Sequence, residues 1–172
     1  MKRIDNSVYS IPVKGLSVGK HQFSFEVGNE FFAGYGGDEV TGAELSVVVD
    51  VVKNSTMMNI DGVITGNVSV ECDRCLDELQ LPIDTEFNLV VKLAKGIDEE
   101  DDDIMIVDQS EGELELDQLF YDTVILSLPL QRVHNEGGCD PEMISKLESL
   151  KGNTDEDEES SSPFSILKKL KN

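Results

Sequence analysis

A long stretch of alternating residues in the middle of the chain most constrains its fold. Between residues 58 and 72, every second position is apolar or glycine, and the positions between them are mostly polar. Successive side chains of a strand point to opposite faces of the sheet, so this alternation predicts a half-buried β-strand. Gly62 and Gly66 within the run indicate a bulge, a sharp bend or a hairpin.

A second alternating run follows after a short interruption with the sequence "CDRC". Its apolar residues recur at most alternate positions from Leu81 to Leu93. Two long strands joined by a turn predict an antiparallel hairpin with Cys72 and Cys75 at its tip.

The rest of the first half also favours strands, at residues 8–16, 21–27 and from Ala43 onward. In the last of these, Val48 and Val52 face away from the other apolar residues, which predicts a strand covered on both sides. The glycine-rich residues 28–42 predict a loop with at most one helical turn, around Phe31 and Phe32.

Helical periodicity appears in the second half. Apolar residues recur at spacings of three and four over residues 116–128, with Asp117 as the predicted N-cap and Pro129 ending the helix. A shorter helix follows, with Asp140 as its N-cap and Pro141 at its first position. The preceding "IMIV", residues 104–107, predicts one short strand.

These elements predict an α+β, mainly β fold. We expect an antiparallel sheet or barrel-like body with one core helix and a tethered C-terminal helix. Residues 1–152 would form the β-rich globular domain, and residues 153–163 an acidic, Ser-rich linker without the apolar residues needed for burial. Residues 164–172 predict a short amphipathic helix, whose apolar side carries Phe164, Leu167 and Leu170.

The charge of the chain limits its partners. It has 14 Lys and Arg against 35 Asp and Glu, a formal net charge of -21. Because phosphates are neutralised by clustered Lys and Arg, this balance opposes a broad RNA-binding face and favours a basic partner. The acidic runs at residues 98–103 and 155–159 are either solvated spacers or segments that attract such a partner electrostatically.

Motifs typical of enzymes, export signals and membrane spans are absent from the sequence. It contains no GxGxxG, Walker A, HExxH or GxSxG motif, and no apolar run approaches the roughly 18 residues that cross a bilayer. We therefore expect a cytoplasmic protein that acts by binding rather than catalysis, with no small-molecule substrate and no membrane association.

The main candidate site consists of Cys72, Cys75, His134 and Cys139. A C-x2-C turn and an H-x4-C loop supply the four ligands of a closed structural zinc site, if the two segments meet. The first alternative is a redox pair at Cys72 and Cys75, although such pairs usually open a helix. The second is that the thiols are small buried hydrophobes and His134 is an ordinary loop histidine.

Arg74 and the C-terminal segment are the candidate partner-binding residues. Arg74 at the hairpin tip either contacts a partner or pairs with Asp73 or Asp77, which would contribute only ~0.2–1 kcal/mol. The C-terminal segment either docks on a partner, packs on its own domain or frays. Its predicted contact residues are Phe164, Leu167, Lys168, Lys169 and Leu170.

Four features in order give the chain a resemblance to a known family. They are "VECDRCL", an acidic loop followed by "GELELDQLFYDTVILSLPL", then "VHNEGGC", and the terminal "SPFSILKKLK". In these the chain resembles the YceD-type large ribosomal RNA subunit accumulation proteins, once known as domain of unknown function 177. Some of those relatives carry a second cysteine pair towards the C-terminus, where this chain has only Cys139.

The resemblance implies a cytoplasmic, non-enzymatic accessory factor in 23S ribosomal RNA accumulation and large-subunit biogenesis. We expect its partner to be a ribosome assembly protein or a basic ribosomal protein, with ribosomal RNA engaged indirectly. Direct RNA contact would need a local patch, for which Arg74, Lys168, Lys169 and Lys171 are the candidates. The alternative is a small metal-binding or thiol redox protein centred on the CxxC.

Overall fold

The computed structural model describes residues 6–36, 39–94, 105–108 and 112–150. Within these residues the chain forms short and long strands and three α-helices. In chain order, after a 3-10 turn at Asn6–Tyr9, they are β1 (Ser10–Pro12), β2 (Gly19–Gly28), α1 (Asn29–Tyr35), β3 (Gly42–Lys53), β4 (Met57–Glu71), β5 (Glu78–Ala94), β6 (Met105–Asp108), β7 (Glu113–Glu115), α2 (Asp117–Ser127) and α3 (Pro141–Leu150).

Five of the strands form one sheet in the order β2-β3-β4-β5-β6. The first four are antiparallel, and β6 joins β5 in parallel. β1 and β7 make a separate antiparallel pair. The predicted α+β, mainly β class is confirmed. The described strands leave this sheet open between β2 and β6, so the body is a sheet and not a closed barrel.

The predicted hairpin around the "CDRC" turn is confirmed. β4 pairs with β5 without a break, from Met57 opposite Lys92 to Glu71 opposite Glu78. The bulge or inner hairpin predicted at the β4 glycines is wrong, because the register of β4 with β3 is also continuous, whereas the sharp bend predicted as a third possibility stays a prediction.

Close packing explains the two glycines of β4. A Cβ on Gly62 would lie 2.1 Å from the Phe87 ring, and a Cβ on Gly66 would lie 2.2 Å from the Glu44 carbonyl oxygen. Gly66 also has φ +144°, a conformation that L side chains rarely adopt. Both glycines therefore permit close contact within a regular strand.

Two helices cover one face of the sheet. α2 packs on β5 with Phe120 and Val124 buried, so the predicted core helix is confirmed. α1 packs on β2 and β3 with Phe31 and Phe32 buried. The prediction of at most one helical turn there is wrong. Burial of the two phenylalanine rings stabilises a longer helix of seven residues. It ends at Gly36, which has the left-handed conformation.

The other face of the sheet is open among the described residues. Val48 and Val52 on β3 are 39% and 38% exposed, and Val63 on β4 is 45% exposed. The prediction that β3 is covered on both sides is therefore wrong, since α1 and α2 both pack on the opposite face. We call this open side the outer face.

The helix ends follow the predictions in part. α2 stops at Ser127, before Pro129, and α3 begins at Pro141. The Asp140 carboxylate accepts a hydrogen bond from the backbone N–H of Glu142 at 2.7 Å, as an N-cap does. Asp117, however, is the first residue of α2 and not its cap. Its carboxylate instead accepts a 2.6 Å hydrogen bond from the Tyr35 hydroxyl.

Several predicted features lie outside the described residues. They are the acidic run at residues 98–103, the linker at residues 153–163 and the C-terminal segment at residues 164–172. Among the described helices, none is long and apolar enough to cross a membrane.

Candidate metal centre

The turn between β4 and β5 places two thiols on the same side of the hairpin tip. The backbone N–H of Cys72 donates to the Asp77 carbonyl, and that of Leu76 donates to the Cys72 carbonyl, both at 2.9 Å. Leu76 has φ +65°, a left-handed conformation that closes the turn after Cys75. Both cysteine side chains are consequently buried.

A second loop, at residues 128–140, is fastened to this tip by Asp73 and Arg132. The Asp73 N–H donates to the Arg132 carbonyl at 2.7 Å, and the Arg132 N–H donates to the Asp73 carboxylate at 2.7 Å. The two side chains also form an ion pair of 3.3 Å. These reciprocal contacts bring the loop that carries His134 and Cys139 onto the hairpin.

The predicted convergence of the four side chains is confirmed. The three sulfurs and one ring nitrogen all lie within 4.8 Å of one another. The Cys72 and Cys139 sulfurs are 3.9 Å apart. Nδ1 of His134 lies 3.4 Å from the Cys75 sulfur and 3.9 Å from the Cys139 sulfur.

These separations fit a tetrahedral ion. Zinc bonds of about 2.3 Å to sulfur and about 2.0 Å to nitrogen imply sulfur–sulfur distances of about 3.8 Å and nitrogen–sulfur distances of about 3.6 Å. The 3.9 Å between the Cys72 and Cys139 sulfurs is close to the first value, and the 3.4 and 3.9 Å from Nδ1 of His134 to the Cys75 and Cys139 sulfurs lie on either side of the second. The cluster therefore has the size and the donor set of a structural Cys3His zinc site.

A carbonyl group fixes the orientation of the histidine ring. Nε2 of His134 lies 3.1 Å from the Glu78 carbonyl oxygen. A carbonyl oxygen only accepts hydrogen bonds, so Nε2 donates to it, and Nδ1 is the ring nitrogen that faces the thiols. Histidines that bind metals are commonly oriented by such a hydrogen bond on the opposite nitrogen.

The thiols differ in their electrostatic surroundings. Burial raises the pKa of Cys72, but hydrogen bonds from the backbone N–H groups of Cys75, Arg74 and His134 outweigh it and lower this pKa to about 6. Burial also raises the pKa of Cys139, as do its contacts with the other two cysteines. Backbone N–H groups aimed at one sulfur are typical of thiolates that bind metals.

The surroundings of the CxxC favour a metal centre over a redox pair. A redox pair needs two thiols and usually stands at a helix N-terminus, whereas Cys72 and Cys75 stand between two strands. The approach of His134 and Cys139 is not required by that chemistry. All three cysteines are free thiols in the structure.

Arg74 lies exposed at the hairpin tip. It lines a shallow hollow with residues of α3, namely Ile144, Leu147, Glu148 and Leu150. The alternative that Arg74 pairs with Asp73 is not what the structure shows, because the Asp73 carboxylate is held by Arg132. A partner-binding role for Arg74 stays a prediction. The other predicted partner-binding residues, Phe164, Leu167, Lys168, Lys169 and Leu170, lie outside the described residues.

Sequence reasoning missed the residues that assemble the centre. Arg132 and Asp73 are 59 positions apart, and nothing in either local pattern indicates that they pair. The Glu78 contact uses a backbone carbonyl, which any residue would supply. The position of Asp73 inside the CxxC was the one available signal, since a turn carboxylate often accepts hydrogen bonds from backbone N–H groups.

The sequence profile of the family described as "Large ribosomal RNA subunit accumulation protein YceD" matches residues 60–171, a span that contains most of β4, the hairpin tip and all four side chains of the cluster. No curated protein and no solved structure gives a significant match. Because the family profile covers well over half of the chain, the protein belongs to the YceD family of large ribosomal RNA subunit accumulation proteins.

Proposed function

We propose that the protein is a cytoplasmic, non-catalytic accessory factor in biogenesis of the large ribosomal subunit. It would support accumulation of 23S ribosomal RNA by binding an assembly protein or a basic ribosomal protein. The observation that carries the proposal is the family match over residues 60–171, which spans the CxxC hairpin, the core helix α2 and the loop that closes the cluster.

A structural zinc ion is part of the proposal. Cys72, Cys75, His134 and Cys139 offer four ligands at distances that suit tetrahedral coordination. Zinc in such a site contributes roughly 10–16 kcal/mol to the folding of small finger peptides at neutral pH. Here it would hold the loop of residues 128–140 against the hairpin tip, a contact otherwise made by Asp73 and Arg132.

The ligand set also supports a role without catalysis. A catalytic zinc keeps one coordination position open for water or substrate, whereas a structural zinc has four protein ligands. In the cluster, side chains of the chain would fill all four positions around the ion. The ion would stabilise a shape and would not activate water.

The charge supports a basic protein as the partner in preference to naked RNA. The chain carries a formal charge of -21, and RNA affinity grows with the number of phosphates that Lys and Arg neutralise. A basic protein is attracted by the same field, which accelerates its encounter with the chain.

Depletion with rescue tests the function. Cells depleted of the protein should show a fall in the ratio of 23S to 16S ribosomal RNA, which the wild-type chain restores. The double variant Cys72→Ser with Cys139→Ser should fail to restore the ratio, whereas Ser145→Ala on the exposed side of α3 should restore it. An unchanged ratio on depletion would refute the proposed function.

The thiol redox alternative is tested separately on the purified chain. Metal analysis of protein prepared without chelator should find one zinc per chain, and thiol titration should find three cysteines that react only after chelation. A metal-free chain with a reversible disulfide between Cys72 and Cys75 would favour the redox protein instead.

A further inference from the structure

The outer face of the sheet carries apolar side chains that the described fold leaves exposed. Val48 and Val63 sit directly opposite each other on β3 and β4, and each exposes about two fifths of its surface. Val52 lies further along β3 on the same face and is equally exposed. Among the described residues, α1 and α2 pack on the inner side of the sheet. The valine pair is therefore open to a partner.

Acidic side chains surround this pair in the strand register. Asp50 and Asp61 form the next cross-strand pair on one side. Glu86 on β5 stands opposite Val63. Glu26 and Asp84 belong to the row on the other side, which runs through Ser46 and Thr65. All five carboxylates are exposed, so they form an acidic rim around an apolar centre.

The lysine side chains of this face lie away from the Val48–Val63 pair. Lys20 on β2 is opposite Val52, and Lys92 on β5 is opposite Met57, so both lie towards the end of the sheet beyond the Asp50–Asp61 row. Across the three rows around the Val48–Val63 pair, the described charged side chains are all acidic. The face thus presents one sign of charge around small apolar groups.

The register places like charges side by side. Asp50 and Asp61 are direct cross-strand neighbours, and like charges in this arrangement destabilise a sheet. Gln22 offsets part of this repulsion, since its side-chain amide donates a 2.9 Å hydrogen bond to Asp50. The exposed valines and the paired carboxylates are both unfavourable in the isolated chain. A basic partner with a small apolar contact surface would cover the valines and neutralise the carboxylates.

We infer that this outer face is the docking surface for the basic protein partner, an inference that rests on the proposed function. The partner segment would place aliphatic side chains on the Val48–Val63 pair and lysine or arginine side chains against the rim of Asp50, Asp61 and Glu86. RNA is disfavoured here because its phosphates would meet carboxylates. A second copy of the chain is disfavoured because two acidic faces would meet.

The test uses the full-length chain and RNA-free proteins extracted from purified large ribosomal subunits. The protein retained most strongly is purified, and its Kd is measured at low and high salt. The neutralised variant carries Asp50→Asn, Asp61→Asn and Glu86→Gln. The control variant carries Glu30→Gln, Asp122→Asn and Glu142→Gln, three exposed acids on the helices and off the outer face, so it makes the same change in net charge.

We expect the neutralised variant to bind about tenfold more weakly at low salt, and the control no more than about twofold more weakly. The difference in Kd between the neutralised and control variants should become smaller at high salt, since exposed charges are screened. Val48→Thr with Val63→Thr keeps the β-branched shape and should weaken binding about threefold at both salt concentrations. The neutralised variant should also unfold at an equal or higher temperature, because it loses the repulsion between Asp50 and Asp61.

Equal losses in the neutralised and control variants would overturn the inference, since they would show only a general effect of charge. Unchanged binding in both would leave the proposed function standing and overturn this surface. If no large-subunit protein is retained, the inference falls, and depletion still decides the role in 23S accumulation. If deletion of residues 164–172 strengthens binding by the wild type but not by the neutralised variant, the chain's own segment occupies the face, and the inference also falls.

Discussion

Single side chains decide how the hairpin tip and the distant loop are joined. His134 presents Nδ1 to the thiols because Nε2 is held by the Glu78 carbonyl, and Asp73 holds the loop through Arg132. Both contacts connect residues more than fifty positions apart. At this scale the cluster of three cysteines and one histidine depends on a few directional hydrogen bonds between the hairpin tip and the loop.

The first prediction replaces the histidine ligand. His134→Gln should reduce the zinc content below one per chain and lower the free energy of unfolding by more than about 3 kcal/mol, because metal binding contributes directly to folding. Metal analysis and chemical denaturation measure the two effects. The matched control is His21→Gln on β2, the other histidine of the chain, which should keep its zinc. Loss of zinc in both variants, or in neither, would contradict the assigned role.

The second prediction concerns the close approach of β3 and β4. Gly66→Ala should destabilise the fold by at least about 2 kcal/mol, since its Cβ would meet the Glu44 backbone and its φ is unfavourable for alanine. Gly112→Ala has open space around it and should stay within about 0.5 kcal/mol of the wild type. Thermal or urea unfolding of both variants gives the comparison, and equal stabilities would show that the strands can separate at Gly66.

The alternation of apolar and polar residues predicted the buried side chains well on a strand with one apolar face. The inward positions of β4 followed from period-two spacing alone. Val48 and Val52 did not, because valine favours strands through its β-branched shape whether or not its face is covered. The close packing at Gly62 could not be predicted from the local sequence either, since it depends on Phe87 of the neighbouring strand.

At the scale of elements, α1 and α2 are joined through one tyrosine. The Tyr35 hydroxyl donates to Asp117 at 2.6 Å, and its ring stacks on Tyr121 with centroids 4.3 Å apart. Burial, followed by the hydrogen bond to Asp117, raises the pKa of Tyr35. The contact ties the unpredicted helix to the predicted one.

The third prediction follows from that raised pKa. Tyr35→Phe should cost about 1 kcal/mol at neutral pH by removing a hydrogen bond to a carboxylate. Because the folded-state pKa lies above the unfolded value of about 10, the stability that Tyr35 contributes is complete below that pH and declines as the pH rises above it. The gap in unfolding free energy between wild type and variant should therefore narrow at alkaline pH. A gap that widens there would contradict the contact, and Tyr121→Phe, which keeps the stacked ring, serves as the control.

Elements with long periodic patterns were predictable, and short or nonlocal ones were not. β4, β5 and α2 each repeat their pattern over eleven residues or more. β7 has three residues and forms only by pairing with β1, a contact more than a hundred positions away in sequence. Seven residues are likewise too few for α1 to show a period, so its existence depends on tertiary burial. The ligand set of the metal centre was readable because Cys and His are rare in this chain, but the docking of its two halves was not.

For the whole molecule, the net charge and the family name favour different classes of ligand. A chain with a formal charge of -21 is poorly suited to holding RNA phosphates, yet it belongs to a family named for accumulation of large-subunit RNA. The proposed role through a basic protein would reconcile the two. The described surface offers the partner an acidic outer face at the sheet, apart from the metal centre at the hairpin tip.

The fourth prediction compares the two classes of ligand directly. The purified chain should bind protein-free 23S ribosomal RNA weakly, and bind a basic large-subunit protein more tightly at the same salt concentration. The protein interaction should form faster at low salt, because the acidic field steers encounter. Titration with each ligand over a series of salt concentrations measures both properties. Tight, salt-resistant binding to the RNA would contradict the charge argument.

The most direct test of the central claim is affinity capture of the full-length chain from cell extract, with and without ribonuclease. The measured quantity is the amount of large-subunit and assembly proteins retained after the RNA has been destroyed. If the protein acts by binding a protein partner, basic large-subunit or assembly proteins remain bound after ribonuclease treatment. If all of them are released with the RNA, the chain contacts RNA first, and the proposed mode of action is wrong.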